Sequence, residues 1–228
     1  MSNGPSYGAT ALNQFSFKLR GERWNETDWK TPEFQMDMQQ NNPRFVVFCN
    51  NPTEIEKTRK TRYGEKALSS FPITCRMKWK DLWKFFFLFK NAIENSVPVK
   101  YTMDFKGPKF DDKGEKVKGE FVVTARLTFG QNADGMIFMQ FAEQGREKPM
   151  FIFKENFWVP IKQDDQEMNA SEASKLDAYG FLKSIEEVVG AIAVRYYIPE
   201  AGREMKEEKK DKPKDQQVAD IDVVDEGW

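Results

Sequence analysis

Alternation of apolar and polar side chains with a period of two dominates this chain, and it is interrupted only twice by helical spacing. Phe15, Phe17 and Leu19 alternate with Lys18 and Arg20, and Phe34, Met36 and Met38 alternate with Gln35 and Asp37. Phe45 to Phe48 is a short apolar run. Phe71, Ile73, Cys75 and Met77 then point one way while Thr74, Arg76 and Lys78 point the other. Successive strand side chains face opposite sides, so each stretch predicts a strand with one buried face. Further strands are expected around Val99–Phe105, Phe121–Phe129, Met136–Phe141 and Met150–Phe153, joined by Asp111-Asp112-Lys113-Gly114 and Asn132-Ala133-Asp134-Gly135, whose Asx and Gly residues suit hairpin loops.

Leu82, Phe85, Phe86, Phe89, Ala92 and Ile93 recur at three- and four-residue spacing, which predicts a helix over 81–94 with Asp81 as its cap. After an acidic connector, Gln163 to Glu172, a second helix is expected from Ser174 to Tyr197, with Ala178, Leu182, Ile185, Val189 and Ile192 on one stripe and Pro199 ending it. The order is therefore four strands, helix, four strands, helix. Shifted by 96 residues, Asp81 falls on Asp177, Trp83 on Tyr179, Phe86 on Leu182 and Phe89 on Ile185. The fold class expected is α+β: two ββββα units of antiparallel sheet with packed helices, as pseudo-repeats 15–96 and 97–198 within a domain spanning 15–200. An OB-fold with extra elements is the alternative. Residues 1–14 are expected to be a flexible N-terminus and 201–228 a disordered acidic tail, too polar to offset the entropy of folding.

Composition narrows the function. The 228 residues contain no histidine, which removes Ser-His and Cys-His nucleophile systems and His-ligated metals. No phosphate-cradling Gly-rich loop occurs, and the pairs Asp111-Asp112 and Asp164-Asp165 sit beside lysines in polar connectors, so neither a catalytic centre nor a cofactor or metal is expected. Two cysteines with no second pair fit a reducing compartment. With no signal or membrane-span pattern, the cytoplasm is expected, that of the host if the chain is viral. Formal net charge is −1, yet residues 203–228 hold nine acids and six bases, leaving 29 bases against 27 acids in the rest. Twenty phenylalanines exceed what an average core uses, so either the core is Phe-rich or some rings are surface platforms.

Single strands are held by cations on phosphates and by exposed rings on bases. The cationic candidates are Lys18, Arg20, Arg76, Lys78, Lys100 and Arg126, opposite apolar strand faces, together with Lys57, Arg59, Lys60 and Arg62 of the KTRKTRYG stretch, a loop or hairpin with Tyr63 beside it. Stacking candidates are Trp24, Trp29, Tyr63, Trp79, Phe138, Phe151 and Phe153, of which Phe151 and Phe153 are better placed under a helix.

The ββββα–ββββα order resembles the Whirly family of single-stranded DNA binders over about residues 14–198. That resemblance implies two splayed antiparallel sheets with single strands crossing their faces. Independently, the end Ile221-Asp-Val-Val-Asp-Glu-Gly-Trp228 is similar to the tails of bacterial and bacteriophage single-stranded DNA-binding proteins, although Trp228 stands where Phe is usual. This second resemblance implies that Asp220, Asp222, Asp225, Glu226 and Trp228 recruit replication, recombination or repair proteins. The function expected is thus a bacteriophage-type single-stranded DNA-binding protein in a homo-oligomeric state, with RNA in place of DNA left open because nothing in the sequence reads a 2′-hydroxyl. A protein-interaction or inhibitory module is the alternative.

Overall fold

The computed structural model describes residues 18–26, 30–39, 42–54, 57–61, 64–111, 115–154 and 159–195. Four strands, β1 (Leu19–Arg20), β2 (Glu33–Gln39), β3 (Asn42–Phe48) and β6 (Ile73–Arg76), form one antiparallel sheet in the order β1-β2-β3-β6. Between β3 and β6 lies a separate hairpin, β4 (Thr58–Thr61) and β5 (Gly64–Ala67). Helix α1 (Trp79–Glu94) leads to a second antiparallel sheet of β7 (Lys100–Phe110), β8 (Lys116–Gln131), β9 (Ile137–Ala142) and β10 (Met150–Ile152). A small hairpin, β11 (Lys162–Gln163) and β12 (Gln166–Glu167), precedes helix α2 (Ala170–Arg195). Among the described residues the chain is an α+β fold of antiparallel sheets and two α-helices. No described helix is long and apolar enough to cross a membrane.

The alternation seen in the sequence becomes the inward face of each sheet. Phe34 lies opposite Val47, Met36 opposite Phe45, and Phe45 opposite Cys75, all buried. On the second sheet Leu127 and Phe129 pair with Phe141 and Met139, again buried. Both sheets and both helices share one core. Its centre is a chain of ring contacts: Phe34–Phe45 at 5.2 Å, Phe45–Phe85 at 5.1 Å, Phe85–Phe129 at 5.0 Å and Phe34–Phe141 at 5.7 Å between centroids. Such pairs contribute about 0.5–1.5 kcal/mol each beyond their area burial. Among the described residues, the surplus phenylalanine is mainly core.

Both helices begin earlier than their spacing predicts. In α1 the amides of Asp81 and Leu82 donate to the Lys78 carbonyl at 2.9 and 3.1 Å, so Lys78 precedes the helix and Asp81 is not its cap. Asp81 instead sits in the first turn, where its charge suits the helix dipole, and accepts from Lys84 Nζ at 3.1 Å. In α2, Asn169 supplies the cap: its side-chain oxygen accepts from the Ser171 amide at 2.9 Å. Ser174 is buried inside the first turns and bridges helix to sheet, accepting from the Ile137 amide at 2.8 Å and donating to the Phe153 carbonyl at 2.7 Å. At the 96-residue offset, Leu82 and Ala178, Phe86 and Leu182, Phe89 and Ile185, and Ile93 and Val189 are all buried.

The expected acidic connector contains the β11–β12 hairpin. Its turn residues Asp164 and Asp165 have φ of 51° and 62°, a conformation that short Asx side chains tolerate and that two-residue hairpins require. Elsewhere the first sheet is tied to the second at Gly21 and Glu22, whose amides donate to Pro32 and Met150 carbonyls, both at 2.8 Å. A Cβ on Gly21 would lie 2.5 Å from the Met150 oxygen, so only glycine permits this crossing.

A buried ion network also joins the halves. Arg146, in the β9–β10 turn, donates to Glu54 through Nη2 at 2.7 Å and Nε at 3.1 Å, and both side chains are fully buried. Arg146 Nη1 reaches the Phe71 carbonyl at 2.7 Å and Glu143 at 3.1 Å, and Glu143 accepts from Arg59 at 2.7 Å. Removing one partner of a buried pair strands the other charge, at about 3–5 kcal/mol. Arg146→Ala and Glu54→Ala are therefore each expected to lose about that much unfolding free energy in urea titration, whereas the double variant Glu54→Leu/Arg146→Met recovers most of it.

Candidate nucleic-acid interface

Cross-strand register places cations in rows on the outer face of the first sheet. Asp37 lies opposite Arg44, and Arg44 opposite Arg76. Asp37 is buried and takes both Nε and Nη2 of Arg44, the latter at 2.6 Å. That pair is neutral overall, so the outward charge of the row falls on exposed Arg76. Strand β6 is the last strand of its sheet, and beside it run β7 and β8. Between them opens a groove of about 300 Å³ lined by Thr74, Arg76, Phe105, Lys106, Gly107, Pro108 and Thr124. Arg76 and Lys106 come from different sheets, and Phe105 borders the groove half-buried and packed against the core.

This wall is shaped by a break in the β7–β8 ladder. Pairing shifts between Phe105 and Lys106, leaving Thr124 as an extra residue whose hydroxyl donates to the Phe105 carbonyl at 3.0 Å. A bulge of this kind bends the ribbon and re-aims side chains. Lys106 and the bulge escaped the sequence reading; Gly107-Pro108 within a strand was the available signal, since Pro belongs on edges and at bulges.

Of the predicted cations, Arg76 lines the groove and Lys78 lies half-buried just beyond β6. Lys18 and Arg20 are exposed at the far edge of the first sheet, where Arg20 borders a second pocket of about 490 Å³ with Glu22, Phe151, Lys154 and Asp177. In that pocket burial pushes the Asp177 carboxyl up, against a backbone hydrogen bond from Lys154. Lys100 is exposed at the start of β7. Arg126 is bound to Asp104 through two hydrogen bonds of 2.5 and 2.9 Å, and this bond holds the Asp104 carboxyl below its usual range. Lys57 is exposed, whereas Arg59 is engaged with Glu143 and lies 5.4 Å from the Phe71 ring centroid. Lys60 belongs to β4. Trp29, Arg62, Tyr63 and the tail residues Asp220, Asp222, Asp225, Glu226 and Trp228 lie outside the described residues.

Two stacking candidates are corrected. Phe138 is only 8% exposed, so both faces of β9 are covered there and no platform is presented. Trp24 is half-buried against the core, and its indole N–H donates to the Cys49 carbonyl at 2.7 Å, which makes it an anchor between β1 and β3. Trp79 also packs against the core, and Phe151 and Phe153 are buried, as their place near a helix led one to expect.

Among the described residues no group of three His, Cys, Asp or Glu side chains is placed to hold a metal. Burial pushes the Cys49 thiol up to about 12, against the lowering pull of Arg146, and raises Cys75 further. Neither thiol is a nucleophile in this state. A disulfide reagent at pH 8 is expected to leave both unlabelled in the folded protein and to label both in denaturant; rapid labelling of the native chain would contradict their burial. No family model matches the chain, and no curated protein or solved structure does either.

Proposed function

We propose that this protein binds single-stranded DNA with little sequence choice, with the strand entering the groove between β6 and the β7–β8 ribbon. The observation that carries this reading is the convergence of Arg76 and Lys106 from two different sheets on one groove. Phosphates meet two cations there, the electrostatic part of what non-specific single-strand binding uses. Lys57 and Lys100 are exposed elsewhere on the body. No catalytic role is assigned.

The finer fold reading belongs with this proposal. Two four-stranded antiparallel sheets, the first interrupted by the β4–β5 hairpin and the second parted from its helix by the β11–β12 hairpin, with buried helix positions that repeat at one offset, favour a tandem ββββα, Whirly-like architecture over an OB barrel. The acidic tail ending at Trp228 is assigned to recruiting replication or recombination partners, its carboxylates meeting cations and its ring an apolar pocket. A second reading, a protein-interaction module, draws on Trp83 and Phe87, which stand exposed on α1.

Tryptophan-fluorescence titration with oligo-dT across a salt series tests the proposal. Tight binding that weakens with salt is expected, and Arg76→Ala/Lys106→Ala should lower the log–log salt slope by ~0.7 per contact removed, so by ~1.4 in all. Unchanged slope in the double variant would move the strand away from the groove. No binding to oligo-dT or oligo-U would sink the reading and leave the interaction module, and preference for oligo-U would make the ligand RNA.

A further inference from the structure

Helix α1 is apolar on two sides. Leu82, Phe85, Phe86, Phe89, Ala92 and Ile93 are buried against the core. With 3.6 residues per turn, the opposite side holds Lys80, Trp83, Lys84 and Phe87, all exposed, Trp83 to 48% and Phe87 to 72%. One exposed ring is ordinary, but two on adjacent turns of a helix are neighbours and form a patch. Trp83 stands edge-to-face with buried Phe86, their centroids 5.4 Å apart at 84°. The core therefore orients this indole while nearly half of it stays open.

Charge gathers at the same end of the helix. From Arg76 to Lys84 the chain places Arg76, Lys78, Lys80 and Lys84 against a single acid, Asp81. Asp81 is half-buried and accepts from Lys84 Nζ at 3.1 Å, which leaves the excess with Arg76, Lys78 and Lys80. Toward the other end that excess fades, where Glu94 lies 3.7 Å from Lys90. The helix dipole adds positive potential at the first turn. An anionic ligand that presents flat rings fits this half of α1, and a strand of nucleotides is such a ligand.

We infer that bases of the single strand held in the groove stack on Trp83 and Phe87, with Lys80 meeting a phosphate beside them. Arg76 lines the groove and opens the same run of chain. Four residues at full extension and three more along the helix keep Trp83 within about 20 Å of Arg76, so one strand can reach both. The inference rests on the proposed single-strand binding and supplies what the groove lacks, since Phe105 there is packed against the core. Stacking also adds affinity that does not depend on releasing counterions.

Anisotropy of labelled oligo-dT with the full chain, across a salt series, tests it. Trp83→Ala and Phe87→Ala should each weaken binding by about 10-fold and leave the log–log salt slope unchanged, whereas Lys80→Ala should lower the slope by ~0.7. Trp83→Phe should keep most of the affinity and Trp83→Leu should not, because an aliphatic side chain offers no flat face. On an abasic strand of the same length, wild type and both alanine variants should bind alike. Unchanged thermal unfolding will show that each variant is folded. Wild-type affinity in both alanine variants, a defect that persists on the abasic strand, or full rescue by Trp83→Leu would overturn the stacking assignment and leave the rings to a protein partner, with the groove still tested by Arg76→Ala/Lys106→Ala. No binding of wild type to oligo-dT or oligo-U would overturn both readings together.

Discussion

Neither sheet can bury its own apolar face, and the contact of Phe34, Phe45, Phe85, Phe129 and Phe141 across the gap between them is what the rest of the fold depends on. Two four-stranded meanders of this size would each leave a wet hydrophobic face if they stood alone. Meeting around α1, they enclose a single core whose packing restricts how the sheets sit against each other. The Glu22 amide to Met150 carbonyl bond secures one margin, and the Glu54–Arg146 pair a second. Along a third, where β6 comes against the ribbon, the contact is looser and leaves the groove. The candidate binding surface thus follows from how the core is closed.

Charge pairing decides how strong that surface is. Simple counting gives the body a slight positive excess, but many cations are already committed: Arg44 to Asp37, Arg59 and Arg146 to Glu143, Arg126 to Asp104, Lys109 to Glu120 and Lys154 to Glu22. An arginine held by a carboxylate brings little net charge to a phosphate. Arg76 and Lys106 matter because they converge on one groove, while Lys57 and Lys100 stand apart from it. Few phosphate contacts at the proposed groove would make the salt dependence shallow, each contact adding only ~0.7 to the log–log slope.

The element order was legible because period-two and three/four spacing report directly which side chains share a face. Leu82, Phe85, Phe86, Phe89, Ala92 and Ile93 are all buried as their spacing predicts. What alternation does not report is whether the other face is covered as well, and Phe138 fell in that gap. Helix starts shifted by two to four residues because Asn169 and the Lys78 carbonyl, rather than an acidic side chain, satisfy the first amides. Glu54 and Arg146 are 92 positions apart, and no local pattern announces a pair made by tertiary closure. Lys106 was invisible for a related reason: its direction is set by a bulge that exists only once β7 has paired with β8.

Hydrogen exchange on the full chain, with and without saturating oligo-dT, tests the central claim most directly. Protection is expected to rise in β6, around Thr74 and Arg76, and in β7, around Phe105 and Lys106, together and at the same oligonucleotide concentration. Protection confined to other surfaces, or unchanged exchange at a concentration where binding is saturated, would contradict the placement of the strand between the two sheets.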